Sequence, residues 1–202
     1  MTSFVCPHCE SFSTFTVVFK DGIPKSAGSD RWRHGASQCN NPDCSKVVGG
    51  YVDHSTGDVF EYWPKHVGGK VFPEVPEHIG STADEAHKCL SIGAHRGAIA
   101  LARAVVEATA KHHKIIKGLL DKKIDEMATK GIISEAMKDA AHEIRFAGNE
   151  VAHADLAEEP ITKEDAEEVL QLMDAILTRV YQEPAQVARV QERRKARRGD
   201  EA

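Results

Sequence analysis

Long apolar runs are missing from this 202-residue chain. Nothing approaches the ~18 consecutive apolar residues of a membrane-spanning helix. Met1–Cys9 has no charged stretch leading into an apolar one, so no secretory leader is expected. The expectation is a cytoplasmic protein with no membrane partner. Cysteine is scarce at five residues, which argues against the disulfide scaffold of a secreted domain. An excess of one charge is missing too: 26 Lys and Arg face 31 Asp and Glu, a net −5. That excludes a bulk nucleic-acid coat and leaves room for a local basic site. No G-x-S-x-G elbow and no P-loop is present, so a generic hydrolase has no motif here. Aromatic residues are nearly absent from the second half: after Pro73 only Phe146 and Tyr181 remain.

What is present divides along the same line. The segment before Pro73 holds the other aromatics among β-branched residues, whereas residues 76–180 are rich in Ala, Glu, Lys and Leu. Strand formers first and helix formers after predict an α+β protein, mainly α, in two domains. Residues 1–72 form the β domain, residues 76–182 a bundle of four or five helices, and residues 183–202 a basic C-terminal helix or tail. Gly68, Gly69 and Pro73–Pro76 mark the linker.

Four cysteines fall into two pairs, Cys6-Pro-His-Cys9 and Cys39-Asn-Asn-Pro-Asp-Cys44. Each pair closes a tight knuckle, and four thiolates complete a tetrahedron with no open position, so a structural Zn²⁺ is expected. Phe12–Phe19, Val47–Val52 and Val59–Trp63 read as strands leaving the knuckles, with a turn at Ser55–Asp58. The β domain is therefore read as a zinc ribbon. His8 is a knuckle residue, His34, His54 and His66 are substitute ligands, and Cys89 reads as core.

The second block has helical periodicity. Pro76 starts a helix that Gly93 stops, and Ala94–His112 is apolar almost all round, the mark of a central buried helix. Leu119–Thr129 ends at Gly131, Ser134 caps a helix running to His153, and Thr162 with Asp165 opens another. Pro184 restarts a last helix that ends in Arg193–Arg198, where five of six residues are basic. That run is either a solvated terminus or a phosphate contact.

On the Ser134–His153 helix, His142, Arg145, Asn149 and His153 cluster beside the apolar face, bordered by Phe146. On the central helix, Arg96, Arg103 and Glu107 share a side, with Arg103 and Glu107 at ion-pair spacing. Charges on a buried helix need partners, and the second stripe can supply them. Two readings stay open: a polar seam that sets helix register, or a small site that holds a phosphate and moves protons.

The segment His142-Glu-Ile-Arg-Phe-Ala-Gly-Asn-Glu-Val-Ala-His153 resembles the signature of the prokaryotic domain of unknown function 4145, a member of the HEPN-like helical superfamily. Arg103-Ala-Val-Val-Glu107 resembles its other hallmark, and the resemblance spans roughly Pro76 to Tyr181. It implies a HEPN-like bundle, a homodimer, and a place in phage defence, toxin–antitoxin or stress systems, with RNA or a protein of such a system as partner. For a metal-independent ribonuclease it implies His153 as general acid or base, Arg145 on the scissile phosphate and Asn149 orienting the substrate, supported by Arg103, Glu107 and His142. Nuclease members set Arg and His closer together. Here seven residues intervene, a rise of about 12 Å on a helix. The alternative is a non-catalytic adaptor whose ribbon recognises a partner, for example an accessory of a restriction or toxin–antitoxin system.

Overall fold

Alternation of side chains along five strands builds the first compact unit. The computed structural model describes residues 2–26, 30–153 and 160–199, and the side chains of His153 and Arg198 lie outside the described residues. Strands β1 (Thr2–Val5), β2 (Phe12–Phe19), β3 (Trp32–Cys39), β4 (Val47–Asp53) and β5 (Val59–Trp63) form one antiparallel sheet in sequence order. The sequence reading missed β1, which is short, and β3, where Arg33, Gly35 and Gln38 dilute the strand signal. Pairing in register places His34 opposite Tyr51 and Gly49 opposite Trp63.

The inner face of this sheet packs Cys6, Phe15, Cys39 and Val48, with Phe4 stacked between Phe15 and Tyr62 at ring separations of 3.8 Å. The Ser55–Asp58 turn is tied down by Asp53. Its carboxylate accepts from the Ser55 and Thr56 backbone N–H groups, from Ser55 Oγ and from Arg31 Nε. The Ser55 hydroxyl, then Arg31, holds that carboxyl well below the usual range.

The second compact unit runs from Gly68 to the C-terminus. Helices α1 (Glu77–Ser91), α2 (His95–His112), α3 (Leu120–Thr129), α4 (Glu135–His153) and α5 (Lys163–Leu177) form the bundle. Helix α2 packs against all four others and buries Ala98, Ile99, Ala102, Val105, Val106, Thr109 and Ala110, the central helix that its apolar circumference demands. Gly93, at φ +79°, ends the α1 turn in the left-handed region. Thr162 and Asp165 form a reciprocal capping box that starts α5.

The last helix does not restart at Pro184. After α5 the chain passes through a π turn, Thr178–Gln182, into α6 (Glu183–Gly199) with right-handed helical angles throughout the junction. Pro184 has no N–H for the helical ladder and its ring crowds the preceding turn, and the wider π turn accommodates it. Helix α5, the π turn and α6 are thus one rod of 15, 5 and 17 residues, roughly 55 Å long at 1.5 Å per residue. Among the described residues no helix is long and apolar enough to cross a membrane.

Candidate functional site

The two cysteine knuckles share one backbone design. Cys6 N–H bonds Ser11 O and Cys39 N–H bonds Lys46 O, both at 2.9 Å, and the residues after the second cysteines, Glu10 and Ser45, both adopt positive φ. This pairing brings the four ligand sulfurs within 4.8 Å of one another. All five cysteines are free thiols. Cys6 Sγ lies 3.8 Å from Cys44 Sγ, the edge of a tetrahedron with metal–sulfur bonds of about 2.3 Å.

His8 N–H and Asn41 Nδ2 donate to Cys6 and Cys9 sulfurs, as expected around thiolates. The Ser11 backbone contact, reinforced by the neighbouring thiols, lowers Cys9 to about 7. At Cys44 the Lys46 backbone contact lowers the pKa, yet burial and the other three sulfurs together push it up to about 11. Four sulfurs this close repel as thiolates unless a cation sits among them, so the donor set suits a metal ion. His8 points its ring to Val47 O, while His34 and His54 make other contacts.

The polar stripes of the bundle resolve into separate pairs. Arg103 Nε donates to Asn149 Oδ1 at 3.2 Å, joining α2 to α4. Gly148 makes this possible: a Cβ there would lie 2.5 Å from Arg103 Cδ and 2.8 Å from its Cβ. The small residue is thus filled from within the same chain. Glu107 turns to Lys123 on α3 and to Lys111, both at 2.9 Å, where the sequence spacing pointed to Arg103. Lys123 is 4% exposed, a buried cation that the sequence reading missed. Its hydrogen bond, then that of Lys111, lowers Glu107 to about 2.

His142 reaches Asp125 on α3 at 3.4 Å beside Lys138. Arg145 lies over the Phe146 ring at 4.0 Å, and its buried Nε has no hydrogen-bond partner. Of the expected site residues, then, the structure joins Arg103 to Asn149 and sends Glu107 and His142 towards α3. His153 ends α4, and its side chain is outside the described residues.

The model of a family described as a domain of unknown function, DUF4145, matches residues 84–193, more than half of the chain. The chain belongs to this family. No curated protein and no solved structure matches it. The DUF4145 match contains the whole Arg103–Asn149 seam and the buried Lys123–Glu107 pair, whereas the cysteine cluster lies in front of it.

In front of the DUF4145 region, the outer face of the sheet carries a group of rings the sequence reading did not single out. His34, Tyr51 and Trp63 meet edge to face at centroid distances of 4.7–6.0 Å, and Trp32 lies 4.8 Å from Phe60. A short bridge between Pro24 and Arg33 carries Lys25 onto the faces of Tyr51 and Phe60, at 4.7 and 4.5 Å, and within 3.8 Å of Glu61. Arg31 covers Trp32. Phe60 and Trp63 are 59% and 41% exposed. The period-two placing of Trp32 and His34 was the available signal. It becomes visible only once β3 is recognised as a strand.

Proposed function

We propose that this chain is a non-catalytic recognition module of a nucleic-acid-linked defence or stress system. In this reading a zinc ribbon binds single-stranded nucleic acid with its outer sheet face, carried on a HEPN-like bundle. A tetrahedral set of four sulfurs is zinc chemistry by ligand type. The observation that carries the reading is the group of rings on this face, exposed Phe60 and Trp63 with half-buried Trp32, His34 and Tyr51, and with Lys25 and Arg31 on their faces. Rings on an exposed sheet stack with bases of any identity, at ~1–3 kcal/mol per base. Glu61 and Asp53 pair with Lys25 and Arg31, so stacking outweighs phosphate attraction and the salt dependence is shallow. The self-satisfied Arg103–Asn149 pair supports a seam over a catalytic strip.

The test uses an optical property of the chain. Its two tryptophans, Trp32 and Trp63, both sit on this face. Titration of the zinc-loaded protein with oligouridylate or oligothymidylate should quench tryptophan fluorescence to saturation, and Tyr51→Ala should weaken binding about tenfold or more. Absence of quenching, or quenching that Tyr51→Ala leaves unchanged, overturns the proposal.

A metal-independent ribonuclease is the second reading, favoured by one observation: among the described residues Arg145 Nε lacks a hydrogen-bond partner, and its guanidinium lies over the Phe146 ring. There His153 would act as acid or base, Arg145 would hold the phosphate and Asn149 would orient it. RNA cleavage by the wild type that His153→Ala abolishes without loss of stability would establish that reading instead.

A further inference from the structure

The rod formed by α5, the π turn and α6 outruns the bundle it belongs to. Its first half lies on α4 and α2, while beyond Arg189, which pairs with Glu74, residues 190–197 are all exposed. An isolated helix of this length is marginal in water, so an exposed one usually has a surface to cover. At 100° per residue, Val187 and Val190 share a face with Arg194, flanked by Lys195 and Arg197. Val187 and Val190 are 54% and 60% exposed. Among the described residues, no carboxylate pairs with Arg193, Arg194, Lys195 or Arg197.

The complementary surface lies elsewhere on the bundle. Between α4 and the start of α5 runs a groove of about 370 Å³. Ile99, Ala147, Val169 and Leu172 contribute an apolar floor, and Phe146, half exposed, lines it from α4. Glu143, Glu150, Asp165 and Glu168 supply four carboxylates. Asp165 is spent on the Thr162 capping box, and among the described residues Glu143, Glu150 and Glu168 pair with no cation. The groove thus offers apolar floor and unneutralised acid, and α6 offers an apolar stripe that runs into unneutralised base.

The two cannot meet within one chain. Glu168 and Arg193 lie on the same continuous rod, roughly 37 Å apart along its axis. A continuous helix cannot fold back on itself without breaking. We propose that α6 seats in the α4–α5 groove of a second copy of this chain, and that reciprocal exchange closes a two-fold dimer. Val187 and Val190 meet the apolar floor, and Arg193, Arg194 and Arg197 meet Glu143, Glu150 and Glu168. This contact does not rest on the nucleic-acid reading and uses neither the ribbon nor the Arg103–Asn149 seam.

Sedimentation of the full-length, zinc-loaded protein tests it, with helical circular dichroism as the control for folding. The wild type should have the mass of two chains at low salt and dissociate as salt rises. Glu143→Lys with Glu150→Lys should weaken association at least about tenfold, and so should Arg193→Glu with Arg197→Glu, which lie outside the bundle and leave its core untouched. Combining the four reversals should restore the dimer, since each charge regains an opposite partner. A monomeric wild type overturns the proposal. So does a dimer that ignores both reversals, or a reversal in α6 that abolishes oligonucleotide binding while the mass stays unchanged.

Discussion

The ribbon and the bundle solve the same problem with different means. In the ribbon, two of the four buried members of the apolar cluster are Cys6 and Cys39 of the cysteine group, joined by Phe15 and Val48. In the bundle, continuous apolar faces such as Ile99–Val106 on α2 and Leu170–Leu177 on α5 interlock around a long core. The ribbon leaves Phe60 and Trp63 exposed on its outer face. The bundle buries a long apolar core and even a lysine, Lys123. Burial of side chains holds one unit together, and ligation of sulfurs is expected to hold the other. Exposed rings gather on the sheet, Phe60 and Trp63 among them, while the bundle exposes Phe146.

The largest way to break that contrast is to remove a sulfur. Cys39→Ser, or treatment with a strong chelator, should unfold the ribbon while the helical far-ultraviolet signal of the bundle persists. Elemental analysis of the wild type should find one zinc per chain, and none in the variant. A ribbon that keeps its sheet without metal would remove the basis of the comparison.

The next effect tests the buried charge of the bundle. Glu107→Gln leaves Lys123, 4% exposed, without its carboxylate. It should cost about 2–4 kcal/mol in denaturant unfolding, less than for a fully buried pair because Glu107 is partly exposed. The same pair predicts an acid limb. Glu107 titrates lower in the folded chain than in the unfolded one, being held at about 2. Its contribution of ~1–3 kcal/mol is therefore complete above about pH 5 and lost as pH falls towards 2. Equilibrium unfolding at several pH values should show this slope in the wild type and a flatter one in Glu107→Gln.

A smaller effect comes from the seam. Gly148→Ala gains ~1 kcal/mol of helix propensity, yet its Cβ would strike Arg103, an overpacking cost of about 1–3 kcal/mol. A net loss of up to about 2 kcal/mol is expected in denaturant unfolding, and a variant more stable than the wild type would show that α2 and α4 have slack there. The smallest is local: Thr162→Ala removes the hydroxyl of the α5 capping box and should cost ~1 kcal/mol, read as a lower bundle melting temperature with an unchanged ribbon.

Local patterns were enough for much of this. The Cys6–Cys9 and Cys39–Cys44 pairs, the apolar circumference of α2, and the Thr162–Asp165 cap were legible because each depends on residues a few positions apart, within one turn or one helical repeat. Strand β3 was illegible because its stability comes from neighbours on both sides and not from its own residues. Helix spacing placed Glu107 next to Arg103, but only the packing of α3 against α2 and α4 put Lys123 within 2.9 Å of Glu107 and drew His142 to Asp125. Likewise Asn149 could be read as polar, while its bond to Arg103 waited on the close approach Gly148 permits. Periodicity assigns a residue to a face of its own element, and that much the chain determined by itself. Which charge meets which, across distances of 16 to 46 residues, was decided by how the elements pack, because electrostatic partners are chosen in space.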